Sequence, residues 1–269
     1  MKLSTILIAI TLIHNISFGQ NNDVPPTKGK SLAILGNSIM MNFSDNYPDL
    51  PASKGEHDNQ NWETLKNALQ LKELINCGIG GAQWQDRGDS YITAYPLRGT
   101  KSGTMSNGLR MLKRLIEENK RISPDIIIMA MGTNNPNISG DYESVMKMSF
   151  SELESNEAYR KTLFGGLRYS IEQARRDYPD SEIYLITPMQ SNTPSRPFEK
   201  IKSTGDAIKM MGARYSCVVF DATFELGIVD IIEASKKDGK YFSDGVHLSK
   251  KGKEKYTKWL IKKILQTYY

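Results

Sequence analysis

Cysteine is scarce in this chain: 269 residues hold two, Cys77 and Cys217. Two cannot build a disulfide framework, and no tight cluster of histidine and cysteine offers a zinc set. They fall on different predicted strands with no spacing that forces them together, so two buried free thiols are expected. Histidine is nearly as rare, with His14, His57 and His247 the only three. No Gly-x-Gly-x-x-Gly occurs and no glycine run leads into Lys-Ser or Lys-Thr, which disfavours a nucleotide loop. No basic-aromatic pattern marks a nucleic-acid groove, so no nucleic-acid partner is expected. The lysines at 250, 251, 253, 255, 258, 262 and 263 crowd the last predicted helix and read as a solvated face. Hydrophobic residues at 39% and charged residues at 24% exclude both a disordered chain and a multispan membrane protein. The chain is long enough to bury a core without a disulfide or metal staple.

The N-terminus has a pattern of its own. Lys2 precedes an apolar run at residues 3–13, and Ser17-Phe18-Gly19 follows. A short basic start, an apolar stretch and small residues at alternate positions read as a secretory signal over residues 1–19. The run is too short to span a bilayer comfortably. Cleavage after Gly19 removes Lys2 and leaves a net charge of +4 in place of +5. No cysteine follows the cut, so no lipoprotein anchor is expected. Residues 20–30 are polar and contain Pro25-Pro26, the composition of a tether. The expectation is a secreted or periplasmic protein, without stable membrane insertion after signal cleavage.

From residue 31 the pattern alternates. Runs at 31–35, 73–77, 125–131, 182–187 and 217–221 are β-branched and apolar. Such near-continuous strands suit a parallel sheet covered on both faces. Between them Tyr159, Leu163, Leu167, Ile171 and Ala174 recur at helical spacing, as do Tyr256, Leu260, Ile264 and Tyr268. The alternation predicts an α/β fold, a doubly wound three-layer α/β/α sandwich on a five-stranded parallel sheet, as one domain over residues 31–269. The polar segments 40–61 and 83–107 are long for connecting loops, and loops of that length are usually functional.

Open α/β sheets place their sites outside the C-terminal ends of the strands. Four motifs stand at such ends or near them: Gly36-Asn37-Ser38, then Asn76 to Gly81, then Gly132-Thr133-Asn134-Asn135, and last Asp244-Gly245-Val246-His247. Each alone is ordinary turn or cap chemistry. A serine nucleophile needs a base, most often histidine. His14 leaves with the signal, and of the remaining two only His247 has a carboxylate three residues before it. Around a turn, that spacing brings Asp244 to one imidazole nitrogen and leaves the other to face Ser38.

The four motifs, in this order and in this strand context, resemble the blocks of the SGNH (GDSL-type) hydrolase family over nearly all of residues 31–269. The resemblance implies a flavodoxin-like fold and ester hydrolysis through an acyl-enzyme. It implies Ser38 as nucleophile, His247 as base and Asp244 as the residue that orients it. It implies an oxyanion hole from the Ser38 and Gly81 N–H groups and the Asn134 side chain. Two positions depart from the family's commonest pattern: Asn37 and Asn135 each stand where aspartate is usual. Neither is in the triad. The chemistry needs no metal or organic cofactor. His57, Asp58, Asp86 and Asp89 are scattered loop groups that read as solvated.

The segment 83–103 mixes Trp84, Tyr91 and Tyr95 with Asp86, Arg87, Asp89 and Arg98. Aromatics beside charged groups suit a polar ring, or equally a packed surface loop. The expected substrate is a small ester or acylated glycan from which a small acyl group, such as acetyl, is removed. A lipid esterase of lysophospholipase type and a non-catalytic glycan-binding protein are the alternatives, the second opposed by the intact Ser38, Asp244 and His247. A pair of substitutions separates the two histidines. His57→Ala should leave hydrolysis of p-nitrophenyl acetate within about twofold, whereas His247→Ala should remove most of it, since only the second base has a carboxylate in reach. The reverse order would reassign the base.

Overall fold

The computed structural model describes residues 24–40, 61–78, 81–85, 123–135, 139–235 and 239–269. Five strands form one sheet: β1 (Ser31–Gly36), β2 (Glu73–Asn76), β3 (Ile126–Ala130), β4 (Glu182–Ile186) and β5 (Val218–Phe220). Their order is β2-β1-β3-β4-β5 and every pairing is parallel. Each strand lies within a residue or two of its sequence expectation. This is the doubly wound order whose reversal beside β1 opens a crevice at the strands' C-terminal ends.

The helices among the described residues are α1 (Asn61–Ala68), α2 (Tyr142–Lys147), α3 (Phe150–Ser155), α4 (Glu157–Arg160), α5 (Leu163–Asp177), α6 (Phe198–Arg214), α7 (Ala222–Glu225), α8 (Asp230–Glu233) and α9 (Lys250–Gln266). Side chains alternate across a strand, and both faces here are covered. Ala33, Leu35, Ile127, Met129, Ile183 and Leu185 pack against α5 and α6 through Leu167, Ile171, Ile208 and Met211. Leu32, Ile34, Ile126, Ile128 and Ile186 pack the other way, against Leu65 of α1 and Tyr256, Leu260 and Ile264 of α9. Two apolar cores on one sheet are the reason the strands read as unbroken apolar runs.

Three details differ from the sequence reading. The periodic stretch from Tyr159 to Ala174 is two helices. Thr162 caps α5, its Oγ1 accepting from Gly165 N at 3.1 Å and donating to Tyr159 O at 2.6 Å. A Cβ on Gly165 would lie 2.0 Å from Tyr159 O, so that glycine permits the fold-back. The second difference is the described part of the 20–30 segment, which is docked onto the fold. Thr27 is fully buried and bonds Leu69 O, and Gly29 N bonds Gln70 O. Third, Tyr268 lies past the end of α9. Its OH donates to Glu182 at 2.9 Å, in a network with Lys30 Nζ, 2.5 Å from Glu182, and Tyr184 OH. Burial works against the Glu182 charge, but the bonds from Lys30, Tyr184 and Tyr268 outweigh it and hold the carboxyl below its ordinary value. This network sits at the strands' N-terminal ends and joins the lead-in to β1, the start of β4 and the chain's last turn.

Cys77 follows β2 and Cys217 precedes β5, and neither is in a disulfide. They lie at opposite edges of the sheet, which no disulfide can span. Cys77 is buried and Cys217 half-buried.

Gly166 brings α5 directly against the segment that follows β2. A Cβ there would lie 2.2 Å from the Trp84 carbonyl oxygen, a backbone atom that cannot swing away. Gly166→Ala must therefore part α5 from residues 81–85. Overpacking of this kind costs about 1–3 kcal/mol, and the melting temperature should fall by roughly 3–10 °C. A melt equal to wild type would show that the contact is slack.

Candidate active site

The first strand ends in a tight turn. A Cβ on Gly36 would lie 2.5 Å from the Met40 Cβ, so glycine is what lets the chain reverse directly after β1. Asn37 N continues the ladder to Ala130 O at 3.3 Å, and Met40 N closes the turn on Asn37 O at 3.0 Å. The Asn37 side chain accepts from Ile39 N at 3.0 Å. An oxygen acceptor is all this bond asks for, and an amide supplies it as a carboxylate would. Ser38 is left half-buried at the sheet's C-terminal edge.

Opposite it lies the turn between α8 and α9. Ser243 N donates to His247 O at 2.9 Å, and Phe242 and Leu248 form an antiparallel bridge. Asp244 Oδ1 accepts from Val246 N at 2.9 Å and from His247 N at 2.7 Å. Its other oxygen lies 2.6 Å from His247 Nδ1, and His247 Nε2 lies 2.9 Å from Ser38 Oγ. Burial opposes the Asp244 charge, but the His247 ring and the two backbone N–H groups prevail and push the carboxyl down to about 2. A depressed carboxyl strengthens the native state at pH values above its unfolded pKa. That support is lost as the pH falls towards 2. An ionised Asp244 fixes the proton on Nδ1 and turns the Nε2 lone pair to Ser38.

The turn is held from the side. Its Gly245 carbonyl accepts from Asn192 N at 3.0 Å and from Ser191 Oγ at 2.9 Å, both in the loop after β4. Gly245 has φ +86°, and a Cβ on it would lie 2.9 Å from Asn192 Oδ1. Asn192 Nδ2 also donates to Glu233 O at 2.6 Å. The buried Glu233 carboxylate accepts from the Lys240 and Tyr241 N–H groups, at the foot of the same turn.

Beyond β2 and β3 the other motif residues converge. Gly81 has φ +74°. Its neighbour Ala82 offers a carbonyl to Asn134 Nδ2 at 3.2 Å. Asn134 Oδ1 accepts from Arg196 Nη2 at 3.1 Å, and Arg196 Nε donates to Thr133 O at 3.0 Å. Asn135 is buried, donating to Gln85 Oε1 at 2.7 Å and accepting from Trp84 N at 3.5 Å. An amide can do both; a carboxylate could only accept.

Direct hydrogen bonds thus join Ser38, His247 and Asp244, and the Ala82 carbonyl joins Asn134 to the segment of Gly81. His57, Asp58, Asp86, Asp89, Arg87, Tyr91, Tyr95 and Arg98 lie outside the described residues. Trp84 is corrected: its side chain is fully buried in the α5-side core and cannot face a substrate. Its apolar neighbours and the Gly166 contact explain why. The sequence reading also missed Ser191, Asn192 and Arg196. They carry no motif, and their only signal was a polar Ser-Asn-Thr-Pro-Ser-Arg stretch after a predicted strand. Among the described residues no group of three or more His, Cys, Asp or Glu is placed to hold a metal.

Residues 34–255 match the model of a family described as GDSL-like lipase/acylhydrolase. Among solved structures the chain is similar to a Lactobacillus plantarum protein at 16% identity, covering 90% of this chain and 99% of that one with a TM-score of 0.58. It is similar to the lipase/acylhydrolase from Enterococcus faecalis at 16% identity, 88% and 96% coverage and a TM-score of 0.53. A Chitinophaga pinensis structure described as a possible lipase gives 18% identity, 88% and 98% coverage and a TM-score of 0.55. At these identities the likeness is one of fold. No curated protein matches the chain.

Asp244→Asn tests the electrostatics of the turn. The new side chain keeps an oxygen for Val246 N and His247 N but gives up the charge, so the melt should fall by no more than a few degrees while the fold is kept. Its amide would face Nδ1 and favour the tautomer with the proton on Nε2, which cannot take one from Ser38. Hydrolysis of p-nitrophenyl acetate should drop at least about a hundredfold. Full activity in this variant would remove Asp244 from the mechanism.

Proposed function

The chain belongs to the GDSL-like lipase/acylhydrolase family, and on that premise we propose that it is a serine esterase working through an acyl-enzyme on Ser38. The observation that carries the reading is the pair of contacts on one imidazole, 2.9 Å to Ser38 Oγ and 2.6 Å to Asp244. Ser38 Oγ attacks the ester carbonyl while His247 Nε2 takes its proton. The imidazolium is stabilised by the Asp244 carboxylate. The carbonyl oxygen becomes negative and is met by the Ser38 and Gly81 N–H groups and the Asn134 amide. Each such donor is typically worth about 3 kcal/mol of barrier. His247 then gives its proton to the leaving alcohol, and water repeats the cycle on the acyl-enzyme.

We assign the acyl group as short and the alcohol as a carbohydrate. The support for a short acyl group is the small size of the cavity behind the Gly36 turn, lined by Asn37, Ile39, Met40, Ala130, Thr133 and Met189 though not by Ser38 itself. At about 20 Å³ it has room for one water-sized group. The support for a sugar is the polar composition of segments 40–61 and 83–107. The N-terminal pattern supports export from the cytosol. Among the described residues no helix is long and apolar enough to cross a membrane.

One observation favours a lipid ester instead. Ile231 and Ile232 of α8 are 78% and 53% exposed, and α8 is tied by Asn192 to the turn that carries His247. A series of p-nitrophenyl esters separates the readings, with Ser38→Ala as the inactive reference. A methylene gains about 0.8 kcal/mol only where an apolar surface receives it. The expected kcat/KM falls from acetyl and propionyl to octanoyl and longer esters. A maximum at eight carbons or more would overturn the short-acyl assignment in favour of lipid esters. Acetate release from an acetylated polysaccharide, but not from acetylated glycerol, would support the sugar.

A further inference from the structure

We propose that Arg196 is a positioning residue for the oxyanion hole, fixing the Asn134 carboxamide with its N–H2 group turned to the site. The proposal rests on the esterase reading above and adds a residue from outside the four motifs. A guanidinium has five N–H groups and no acceptor. The Asn134 atom 3.1 Å from Arg196 Nη2 is therefore Oδ1, and Nδ2 is held on the opposite side. There one Nδ2 hydrogen serves Ala82 O, 3.2 Å away, and the second is available to an incoming oxygen.

The orientation matters because a carboxamide is nearly symmetric in shape. Turned over, it would present a lone pair where negative charge develops and would repel the transition state it is meant to hold. The Ala82 carbonyl opposes that rotation from one side and Arg196 from the other. Arg196 also grips the backbone just before Asn134, through Nε to Thr133 O at 3.0 Å. The two bonds use the forked geometry of the guanidinium, which an ammonium cannot copy. Its charge beside Oδ1 further polarises the amide, and a polarised N–H is a stronger donor.

The position of Arg196 in the chain gives the contact its reach. It lies two residues before α6, with its third nitrogen 3.4 Å from Ser195 Oγ. The same loop supplies Asn192 and Ser191 to the turn of His247. One connection after β4 thus supports the base through one end and the oxyanion donor through the other.

A double-mutant cycle on p-nitrophenyl acetate tests the coupling. Arg196→Gln should lower kcat about tenfold, part of what the loss of a whole donor costs, with KM within about twofold. In an Asn134→Ala background the same substitution should change kcat less than about twofold, because nothing is left to orient. Arg196→Lys should recover part of the rate, and it runs the same cycle should the Gln variant melt early. An equal fold-loss in both backgrounds, or a loss carried by KM, would overturn the proposal and make Arg196 a substrate contact or a structural residue. A second readout needs no turnover. The Asn134 side-chain N–H2 pair in the ¹⁵N spectrum, identified by its absence in Asn134→Ala, should broaden or double in Arg196→Gln as the amide samples both orientations. An unshifted pair would refute the clamp. A wild-type protein no faster than Ser38→Ala would instead sink the esterase reading, leaving the spectrum to decide the orientation.

Discussion

Ser38 and His247 are separated by 209 residues and joined by one hydrogen bond of 2.9 Å. Neither lies in a strand or a long helix. A single bond between two loops survives only if each loop is held independently, since flexible groups would lose more entropy than the bond returns. The structure solves this by different means on the two sides. Ser38 is held by the sheet: the Gly36 turn packs on Met40, and Asn37 extends the ladder to β3. His247 has no strand beneath it, and its turn is assembled from polar contacts to Ser191, Asn192 and Glu233. The Ser38 side rests on apolar strands and the His247 side on hydrogen bonds.

That division explains what was legible in the sequence. The strands were, because burial on both faces forces continuous apolar composition, and Leu32 to Leu35 fit no exposed element. The meeting of Ser38, His247 and Asp244 was, because histidine is rare and only one carries a nearby carboxylate. The break between α4 and α5 was not, since Tyr159 and Leu163 keep helical spacing across it while the Thr162 cap interrupts the backbone. Thr27 looked like part of a polar tether, and its buried hydroxyl is matched by Leu69 O, a carbonyl that no local pattern announces. Arg196 was invisible for the same reason: its two acceptors lie on another strand end, more than sixty residues earlier.

The two asparagines at 37 and 135 belong to the same logic. Asn37 needs only an acceptor for Ile39 N, so the exchange for aspartate is neutral in hydrogen-bond count and removes a charge from beside Ser38. Asn135 both gives and takes, to Gln85 and from Trp84, and in doing so it ties the loop after β3 to the segment that begins at Gly81. A buried carboxylate there would need a compensating cation. The amide therefore joins these two segments without adding a buried charge between them.

The network of Lys30, Glu182, Tyr184 and Tyr268 has a consequence for how the protein can be handled. It brings Lys30 Nζ within 3.0 Å of the Tyr268 hydroxyl, at the pole of the sheet away from Ser38. The entry and exit of the folded body are thus neighbours, and both hang from its back. Attached to a resin, a carrier domain or a display scaffold through either end, the molecule would hold its cleft outward. A short peptide could also join the two ends and let the chain be reopened elsewhere, with the reacting groups undisturbed by the new seam.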